Sequence, residues 1–501
     1  MSKGMARSEA SSETLVGWMI AVLLGVRLIS LGLYPLMDKT EARYAEIARV
    51  MFSLGDWITP WYDTNIPFWG KPPLSFWATA ASFGALGVNE FAARLPHFLA
   101  ALGVGWLVWN WARRHARQEA LTAIALLAGC SLMLVAAGAV MTDMVLVLGT
   151  TLTMRGFWLG LHGDEDQQQR EGWLFFLGLA IGLLAKGPLV LVLAGLPLGL
   201  WTLWSRQLLP VWRKLPWVGG TLLTLLLAGP WYLAAEARTP GFLDYFLLGE
   251  HWHRFVTPGW AGDRYGGAHS ARRGSIWAYA WIASLPWSVL VPVAWWRWHR
   301  AAAKKALEPA TPARDEVPLQ RYLALWSLAP LVFFTFAGNI LWTYVLPALP
   351  ALAMLGAAWL SRRQEPQRIN SLLVSGLAVS TLLFTGFVGV LNLKQDEDLQ
   401  TTKRLIAHNV AFDGDQRPLF FYPARPYSAA FYSQGKAQQI SQPADLLPRL
   451  TQQAAHLAVK TSDVSRLPPE AQTQLKPLAQ HGSYTLFSMG TTVPAPTRTA
   501  P

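Results

Sequence analysis

The sequence predicts an all-α polytopic membrane protein with a small α/β soluble domain at its C-terminal end. Of the 501 residues, 52% are hydrophobic and only 14% are charged, whereas an ordinary soluble protein has about 25% charged residues. Such a chain has too few polar side chains to cover a soluble surface. Long apolar runs recur as far as residue 391, and the composition becomes polar from residue 394 onward.

The apolar runs have the length of membrane spans. A transmembrane helix needs about 20 apolar residues, and fewer where the helix is broken. This length predicts roughly eleven transmembrane helices. They lie near residues 15–35, 91–111, 120–137, 140–161, 173–185, 188–204, 215–235, 275–296, 320–337, 341–360 and 369–391. We therefore expect a helical membrane domain over residues 1–392 and a second domain over residues 393–501.

The basic residues predict the orientation of these spans. Clusters of arginine and lysine follow the second, sixth, eighth and tenth predicted spans. Because cytoplasmic loops collect positive charge, the N-terminus is predicted to be cytoplasmic. The loops at 36–90 and 236–274, and everything after 392, then face the periplasm of a bacterial inner membrane. The same rule accounts for the net charge of +12 without a nucleic-acid partner, and the 26 tryptophans suit the two headgroup regions.

The C-terminal domain shows the pattern of a mixed α/β fold. Short apolar pieces at 418–422, 457–460 and 483–487 are predicted strands, and the stretch 445–453 is a predicted helix. The last residues, TTVPAPTRTAP, have the composition of a disordered segment. The single cysteine, Cys130, allows no disulfide within the chain.

The first long loop carries an unusual density of charge. Residues 38–77 include Asp38, Glu41, Arg43 and Lys71, and charge at the edge of a bilayer usually marks function. The stretch 41–52 has helical spacing and predicts a short helix lying on the membrane surface. Two prolines follow Lys71 and hold it on rigid backbone. Spacing alone leaves open a surface helix whose charges merely contact headgroup water.

Four further polar residues lie near predicted span ends. Asp143 could bind sugar hydroxyls or cap a helix, and Lys186 could reach a lipid phosphate or extend to the interface. Glu250 and His251 could position a phosphate or sugar, or only contact headgroups.

Several motifs together carry a family resemblance. They are DKTEARYAEIARVM at 38–51, GDWITP at 55–60, FWGKPPLSFW at 68–77, LAKGP at 184–188, GEHWHRF at 249–255 and GNILWTYVLP at 338–347. They resemble, in the same order, segments of the bacterial aminoarabinose (lipid A) transferase family, which is related to the protein O-mannosyltransferases. Both belong to the GT-C class of membrane glycosyltransferases, whose fold has many transmembrane helices and helices in the periplasmic loops.

The resemblance implies an activity. Enzymes of this family take a sugar from a polyprenyl-phosphate-linked donor and transfer it to a periplasmic acceptor. The acceptor implied here is lipid A or another cell-envelope glycolipid, and direct displacement would invert the anomeric carbon. The implied partners are the polyprenyl-phosphate sugar, the glycolipid acceptor and membrane lipids, with no nucleic acid.

The resemblance also implies roles for individual residues. A lipid phosphate leaves, so cations are needed where negative charge develops, and an acceptor hydroxyl needs a carboxylate base. Lys71 and Arg254 are the first candidates for binding the donor phosphate. Arg43, Lys186 and Tyr344 are further candidates for the phosphate, Asp38 or Glu41 for the base, and Asp143, Glu250 and His251 for positioning the substrates.

The sequence departs from the family at the position before the lysine. The closer aminoarabinose enzymes have a glutamate there that helps to bind a metal, and this chain has Gly70. We therefore predict no tightly bound zinc, with a divalent metal on His251 as the alternative. Gly70 predicts a sugar other than aminoarabinose, and Asn339 in the late segment, where the family has a lysine, predicts a different donor or acceptor head group. A protein O-mannosyltransferase-like enzyme, a lipid transporter and a non-catalytic scaffold remain alternative functions.

Overall fold

The computed structural model describes residues 2–63, 65–266, 271–302, 317–394, 399–413, 417–453 and 455–489. The chain divides into two compact units. The first comprises Met1–Gly32 and Val50–Val388, and the second comprises Leu33–Arg49 and Gly389–Pro501. The predicted disordered tail from residue 491 onward lies outside the described residues.

Helices build most of the first unit. The α-helices from the N-terminus to residue 393 are α1 (Ser2–Ser30), α2 (Glu41–Leu54), α3 (Leu74–Leu86), α4 (Glu90–Ala112), α5 (Arg117–Gly129), α6 (Ser131–Ala136), α7 (Asp143–His162), α8 (Glu165–Lys186), α9 (Leu189–Trp204), α10 (Leu208–Lys214), α11 (Trp217–Arg238), α12 (Phe242–Asp244), α13 (Arg254–Val256), α14 (Ser275–Ala283), α15 (Trp287–Ala302), α16 (Val317–Thr335), α17 (Leu349–Arg363) and α18 (Pro366–Leu393). A π-helical segment, Tyr245–His253, joins α12 to α13, and a 3₁₀ turn, Trp342–Ala348, precedes α17. The predicted surface helix at 41–52 corresponds to α2.

The multi-pass character predicted from hydropathy is confirmed. Among the described residues, six segments are long and apolar enough to cross a bilayer. They are Ser11–Ser30, Glu90–Ala112, Asp143–His162, Trp217–Arg238, Trp342–Arg363 and Pro366–Leu393. Helices α14 and α15 form a bent pair with an angle of 74°, and α3 and α9 are shorter apolar helices. The run predicted as one span near 120–137 is broken at Cys130 into α5 and α6.

Helices α7 and α8 form an antiparallel hairpin at the centre of this unit. Helix α7 is buried along nearly its whole length. Glycines make the close approach possible, because a Cβ on Gly149 would lie 2.8 Å from the carbonyl oxygen of Gly178. Small residues at helix interfaces let backbones pack closely in membranes. The hairpin brings the start of α7 beside the end of α8, so Asp143 lies against Lys186.

The second unit contains the predicted α/β fold. Its strands are β3 (Leu419–Tyr422), β4 (Gln438–Gln439), β5 (His456–Lys460), β6 (Leu475–His481) and β7 (Tyr484–Met489), which follow a small hairpin of the first unit, β1 (Trp61–Asp63) and β2 (Ile66–Pro67). The sheet order is β4-β3-β5-β7-β6. Strand β3 pairs in parallel with β4 and β5, whereas β7 is antiparallel to both of its neighbours.

Both faces of this sheet are covered by apolar residues. Successive side chains of a strand point to opposite faces, and every residue of β3 is buried. Phe420 belongs to one hydrophobic cluster and Phe421 to another. The helices of this unit are α19 (Lys403–Asp413), α20 (Tyr427–Tyr432), α21 (Leu446–Gln453) and α22 (Pro469–Gln474).

A segment distant in sequence completes the second unit. Leu33–Arg49 belongs to it, and composition gives no sign of this association. Asp38 accepts hydrogen bonds from the backbone N of Ser428 at 2.9 Å and from its Oγ at 2.6 Å. The backbone N of Leu36 donates to the hydroxyl of Tyr432 at 2.6 Å. These bonds fasten the start of the first loop to α20.

Candidate active site

The loop that carries Lys71 is fixed from both sides. It follows the β1–β2 hairpin and leads into α3. The hydroxyl of Tyr265 donates to the carbonyl of Pro67 at 2.8 Å and accepts from the backbone N of Trp69 at 3.0 Å. Two prolines follow the lysine and restrict the backbone there. The backbone at Lys71 is therefore constrained.

The π-helical segment supplies the acidic partner of this lysine. Residues five apart share a face when hydrogen bonds run from i to i+5, and such segments are frequent at functional sites. Tyr245 and Glu250 are five apart, and the tyrosine hydroxyl donates to the carboxylate at 3.3 Å. Asn339 donates from its side-chain amide to the carbonyls of Arg254 and Thr257 and holds the end of the segment in place.

Glu250 is the centre of a charged cluster. Its carboxylate lies 2.9 Å from Lys71 Nζ, and both of its oxygens lie 3.0 Å from Arg254. The glutamate side chain is only 3% exposed, whereas Lys71 and Arg254 are 18% and 23% exposed. Burial alone would raise the pKa of Glu250, but the charges of Lys71 and Arg254 outweigh it and hold the pKa below its ordinary value. The carboxylate is therefore ionised and orients two cations that remain partly accessible.

A second ion pair lies on the central hairpin. Lys186 Nζ is 2.6 Å from the Asp143 carboxylate, and both side chains are nearly buried. The same ammonium lies 4.9 Å from the centre of the Tyr344 ring, in the range of a cation–π contact. The predicted residues Lys186, Asp143 and Tyr344 therefore form one group.

His251 connects the two groups. Its Nδ1 lies 2.7 Å from the carbonyl oxygen of Phe246, and its Nε2 lies 3.2 Å from the carbonyl oxygen of Lys186. Burial lowers the pKa of His251, and the nearby charge of Lys71 acts in the same direction. Gly187, with φ +85°, leaves room for this packing, because a Cβ there would lie 2.5 Å from the Phe246 ring.

Seven of the ten predicted site residues thus meet in the first unit. They are Lys71, Asp143, Lys186, Glu250, His251, Arg254 and Tyr344. Lys71 and Arg254 share the Glu250 carboxylate, and Lys186 pairs with Asp143. Such an arrangement can bind an anion and stabilise negative charge that develops on it.

The other three predicted residues belong to the second unit. Asp38 is held by Ser428 as described, and burial raises its pKa although the bonds from Ser428 act in the opposite direction. Glu41 is 9% exposed at the start of α2. The Arg43 guanidinium lies 5.2 Å from the Tyr44 ring and 5.8 Å from the Tyr427 ring. The roles of these three residues stay predictions.

Several residues of the site were not predicted individually. Asp263 lies 3.6 Å from Arg254 and is 5% exposed, and Tyr245 binds Glu250. An α-helical reading of residues 245–253 places Tyr245 and Glu250 on different faces, which hides their contact. The sequence marks the loop that contains Asp263 only by its polar composition. No regular spacing relates Asp263 to Arg254, so their contact could not be predicted.

The residues near Lys71 do not fit a metal centre. Gly70 offers no ligand, and a Cβ at that position would lie 2.8 Å from the Phe68 ring. Both ring nitrogens of His251 face backbone carbonyls, and the Glu250 carboxylate is engaged by two cations. Within the described part of the chain, no three metal-ligating side chains lie together. No catalytic step is therefore assigned to a metal.

Comparison with solved structures defines the class of fold. The crystal structure of ArnT from Cupriavidus metallidurans bound to undecaprenyl phosphate matches with a TM-score of 0.77 and 20% identity, covering 94% of this chain and 97% of that one. The apo form of the same protein matches with a TM-score of 0.75. At this level of identity the match establishes the fold alone, which is that of the ArnT structures.

Sequence relatives identify the family. A family model described as dolichyl-phosphate-mannose-protein mannosyltransferase matches residues 14–246. The undecaprenyl phosphate-alpha-4-amino-4-deoxy-L-arabinose arabinosyl transferase of Shewanella sediminis is 31% identical over 66% of this chain and 56% of its own length. The enzyme of the same name from Pseudomonas paraeruginosa is 30% identical over 71% of this chain and 62% of its own. The chain therefore spans less than two thirds of these relatives.

The chain resembles the GT-C aminoarabinose transferase family in its motifs, and the family model, the sequence relatives and the fold all support that assignment. It is a multi-pass inner-membrane protein.

Proposed function

We propose that the chain is a glycosyltransferase that moves a sugar from a polyprenyl-phosphate-linked donor onto a periplasmic acceptor, lipid A or another cell-envelope glycolipid. The observation that supports this most is the cluster of Lys71, Glu250 and Arg254. It provides two partly accessible cations beside a membrane-embedded helical bundle, which suits an anionic lipid headgroup.

The cluster would act on the leaving group. The bond between the anomeric carbon and the phosphate oxygen breaks, and its electron pair leaves with the lipid phosphate. Lys71 and Arg254 would bind that phosphate, with Glu250 setting their positions. Lys186 and Tyr344 would form a second contact, held by Asp143. Cations placed in advance where charge develops lower the barrier, because they need no reorganisation during the reaction.

The acceptor oxygen would attack from the opposite face of the sugar and so invert the anomeric carbon. If that oxygen is a hydroxyl, a carboxylate must accept its proton. Asp38 is the first candidate, because its raised pKa suits proton transfer, and Glu41 is the second. An acceptor phosphate would be ionised already and would need no base.

The topology is part of the proposal. The distribution of basic residues supports a cytoplasmic N-terminus, with the cluster and the C-terminal unit in the periplasm. Labelling of single cysteines placed in the C-terminal unit, in a Cys130→Ala background, tests the orientation. Reaction with a membrane-impermeant maleimide in intact spheroplasts supports a periplasmic position, and reaction only after lysis contradicts it.

The family model favours a second acceptor class. It is described by mannosyl transfer to protein and matches residues 14–246, a range that contains Lys71, Asp143 and Lys186. Gly70 supports a donor sugar other than aminoarabinose, and Asn339 supports a different donor or acceptor head group. Both the sugar and the acceptor are therefore open to direct measurement.

Transfer in reconstituted vesicles tests the proposed function. Purified protein is supplied with a panel of polyprenyl-phosphate sugars and with either glycolipid or peptide acceptors. Wild-type transfer that is lost in Lys71→Ala and retained in Lys214→Ala supports the proposal. Lys214 is a suitable control because it donates to the Leu161 carbonyl, away from the cluster. Equal transfer by both variants would overturn the assignment of Lys71, and no transfer from any donor would overturn the function.

A further inference from the structure

A cavity lies beside the charged cluster. Its volume is about 350 Å³, and the residues that line it include the aromatic side chains Trp69, Tyr245 and Trp260. Asp244, His253 and Arg264 also line it. The cavity is adjacent to the cluster, since Trp69 is two residues before Lys71 and the hydroxyl of Tyr245 donates to Glu250.

Glycines lie beside two of the tryptophans that line the cavity. A Cβ on Gly249 would lie 2.7 Å from the Trp260 ring, so only glycine lets this tryptophan pack against the π-helical segment. Gly241 has φ +94° and faces the Trp69 ring, where a Cβ would lie 3.6 Å away. Glycine at position 249 is therefore needed for the observed position of the Trp260 ring.

Arg264 has an unusual environment at this cavity. Its guanidinium lies 4.6 Å from the centre of the Trp69 ring and 5.2 Å from that of Tyr245. No carboxylate of the described residues pairs with it, in contrast to Arg254, which contacts Glu250 and Asp263. An arginine stacked on aromatic rings keeps its hydrogen-bonding edge available for an anion.

The polar groups decide against a lipid chain as the occupant. A hydrocarbon tail would cover the carboxylate of Asp244 and the guanidinium of Arg264 without hydrogen bonds, which is costly. The volume is at the small end of the range for ligand sites. Aromatic walls with a few charged groups suit a ring that has apolar faces and a hydroxylated edge.

We propose that this cavity binds a carbohydrate ring that bears an anionic group, with the ring face on Trp260 and the anion on Arg264. The inference rests on the proposed function for the source of that ring, which is either the sugar of the donor or a sugar of the acceptor. The role of the cavity is to hold the ring next to the cations of the cluster.

Binding of small sugars tests the cavity without any catalysis. Saturation-transfer NMR on the full chain in nanodiscs measures the affinity for glucosamine 1-phosphate and for glucosamine. Trp260→Ala should weaken both by about tenfold or more, because it removes the stacking face. Arg264→Gln should weaken only the phosphorylated sugar. Trp252→Ala is the control, since this tryptophan of the same segment is 62% exposed and does not line the cavity.

Three results would overturn the inference. They are no saturable binding to wild type, equal binding by wild type and Trp260→Ala, and loss in Trp252→Ala equal to that in Trp260→Ala. Intact thermal unfolding of each variant, followed by tryptophan fluorescence, separates loss of the site from loss of the fold.

Transfer kinetics identify the source of the ring. Trp260→Ala removes the stacking face and should raise the KM of the substrate whose ring occupies the cavity. A higher KM for the acceptor assigns the cavity to the acceptor sugar, and a higher KM for the donor assigns it to the donor sugar. Unchanged values for both would contradict the inference. Sugar binding by a wild type that transfers nothing would instead refute the proposed function and leave the cavity assignment standing.

Discussion

Replacing Glu250 by glutamine should leave two cations without their shared partner. The substitution preserves the shape of the side chain and the contact with Tyr245, but it removes the negative charge that Lys71 and Arg254 both contact at about 3 Å. Because Glu250 is 3% exposed, little water can take the place of that charge.

The structure sets the size of the effect. Removing one partner of a buried ion pair costs about 3–5 kcal/mol. Lys71 and Arg254 are 18% and 23% exposed, so water relieves part of the penalty. We therefore expect Glu250→Gln to lower the free energy of unfolding by about 3 kcal/mol, at the lower end of that range. The exposed pair of Arg238 and Asp56 provides the matched control, and Arg238→Gln should cost less than about 1 kcal/mol.

A double-mutant cycle tests the reasoning. Unfolding in mixed micelles, followed by tryptophan fluorescence, is measured for Glu250→Gln, Lys71→Met and the double variant. If the glutamate compensates the lysine, the double variant should be at least about 1 kcal/mol more stable than the sum of the single effects predicts. Additive effects would refute the view that the carboxylate and the lysine act as a unit.

Three further predictions concern the first loop, the histidine and a glycine. If Asp38 only holds the second unit together, Ser428→Ala should lose as much stability and activity as Asp38→Asn. If Asp38 is a catalytic base, activity should fall only in Asp38→Asn. Vesicle transfer measures the activity, and thermal unfolding measures the stability. Burial lowers the pKa of His251 in the folded protein below 6.5, so below that pH the unfolded chain binds more protons at this residue. The neutral ring therefore contributes stability above about pH 6.5, and this stability is lost as the pH falls through the lower pKa of the folded protein. The melting temperature of each protein is measured at pH 7.5 and at pH 5. An equal fall in wild type and in His251→Asn would contradict the contribution of His251. Gly187→Ala should cost about 1–3 kcal/mol in unfolding experiments because of its φ of +85° and the ring beside it, while Gly195→Ala, with nothing within 4 Å, should be neutral or stabilising.

The membrane fold follows closely from the sequence because hydropathy and charge act locally. The apolar runs predicted the multi-pass architecture, and the short apolar pieces after residue 417 predicted three of the five strands of the second unit, β3, β5 and β7. The number of spans is harder to predict from the sequence, because breaks such as the one at Cys130 depend on packing against other helices. Whether a short apolar helix such as α9 crosses the bilayer depends on its neighbours rather than on its own sequence.

The sequence indicated which charged residues belong to the candidate site but not how they contact one another. The motifs singled out Lys71, Lys186 and Arg254 as cations, and the structure adds that each is oriented by a carboxylate. The central position of Glu250 depends on a π-helical segment, and local sequence rules assume α-helical spacing. The bond between Asp38 and Ser428 joins residues 390 positions apart, a separation that no local pattern encodes.

The binding of a polyprenyl phosphate to the cluster tests the central claim most directly. Native mass spectrometry of the detergent-solubilised protein measures the Kd of undecaprenyl phosphate for wild type, Lys71→Met, Arg254→Met and the control Lys214→Met. A hydrogen bond to a charged group contributes about 1.5–3 kcal/mol, so each cluster variant should bind roughly 10–100-fold more weakly than wild type and the control. Equal affinities for all four proteins would contradict the assignment of this cluster as the phosphate site.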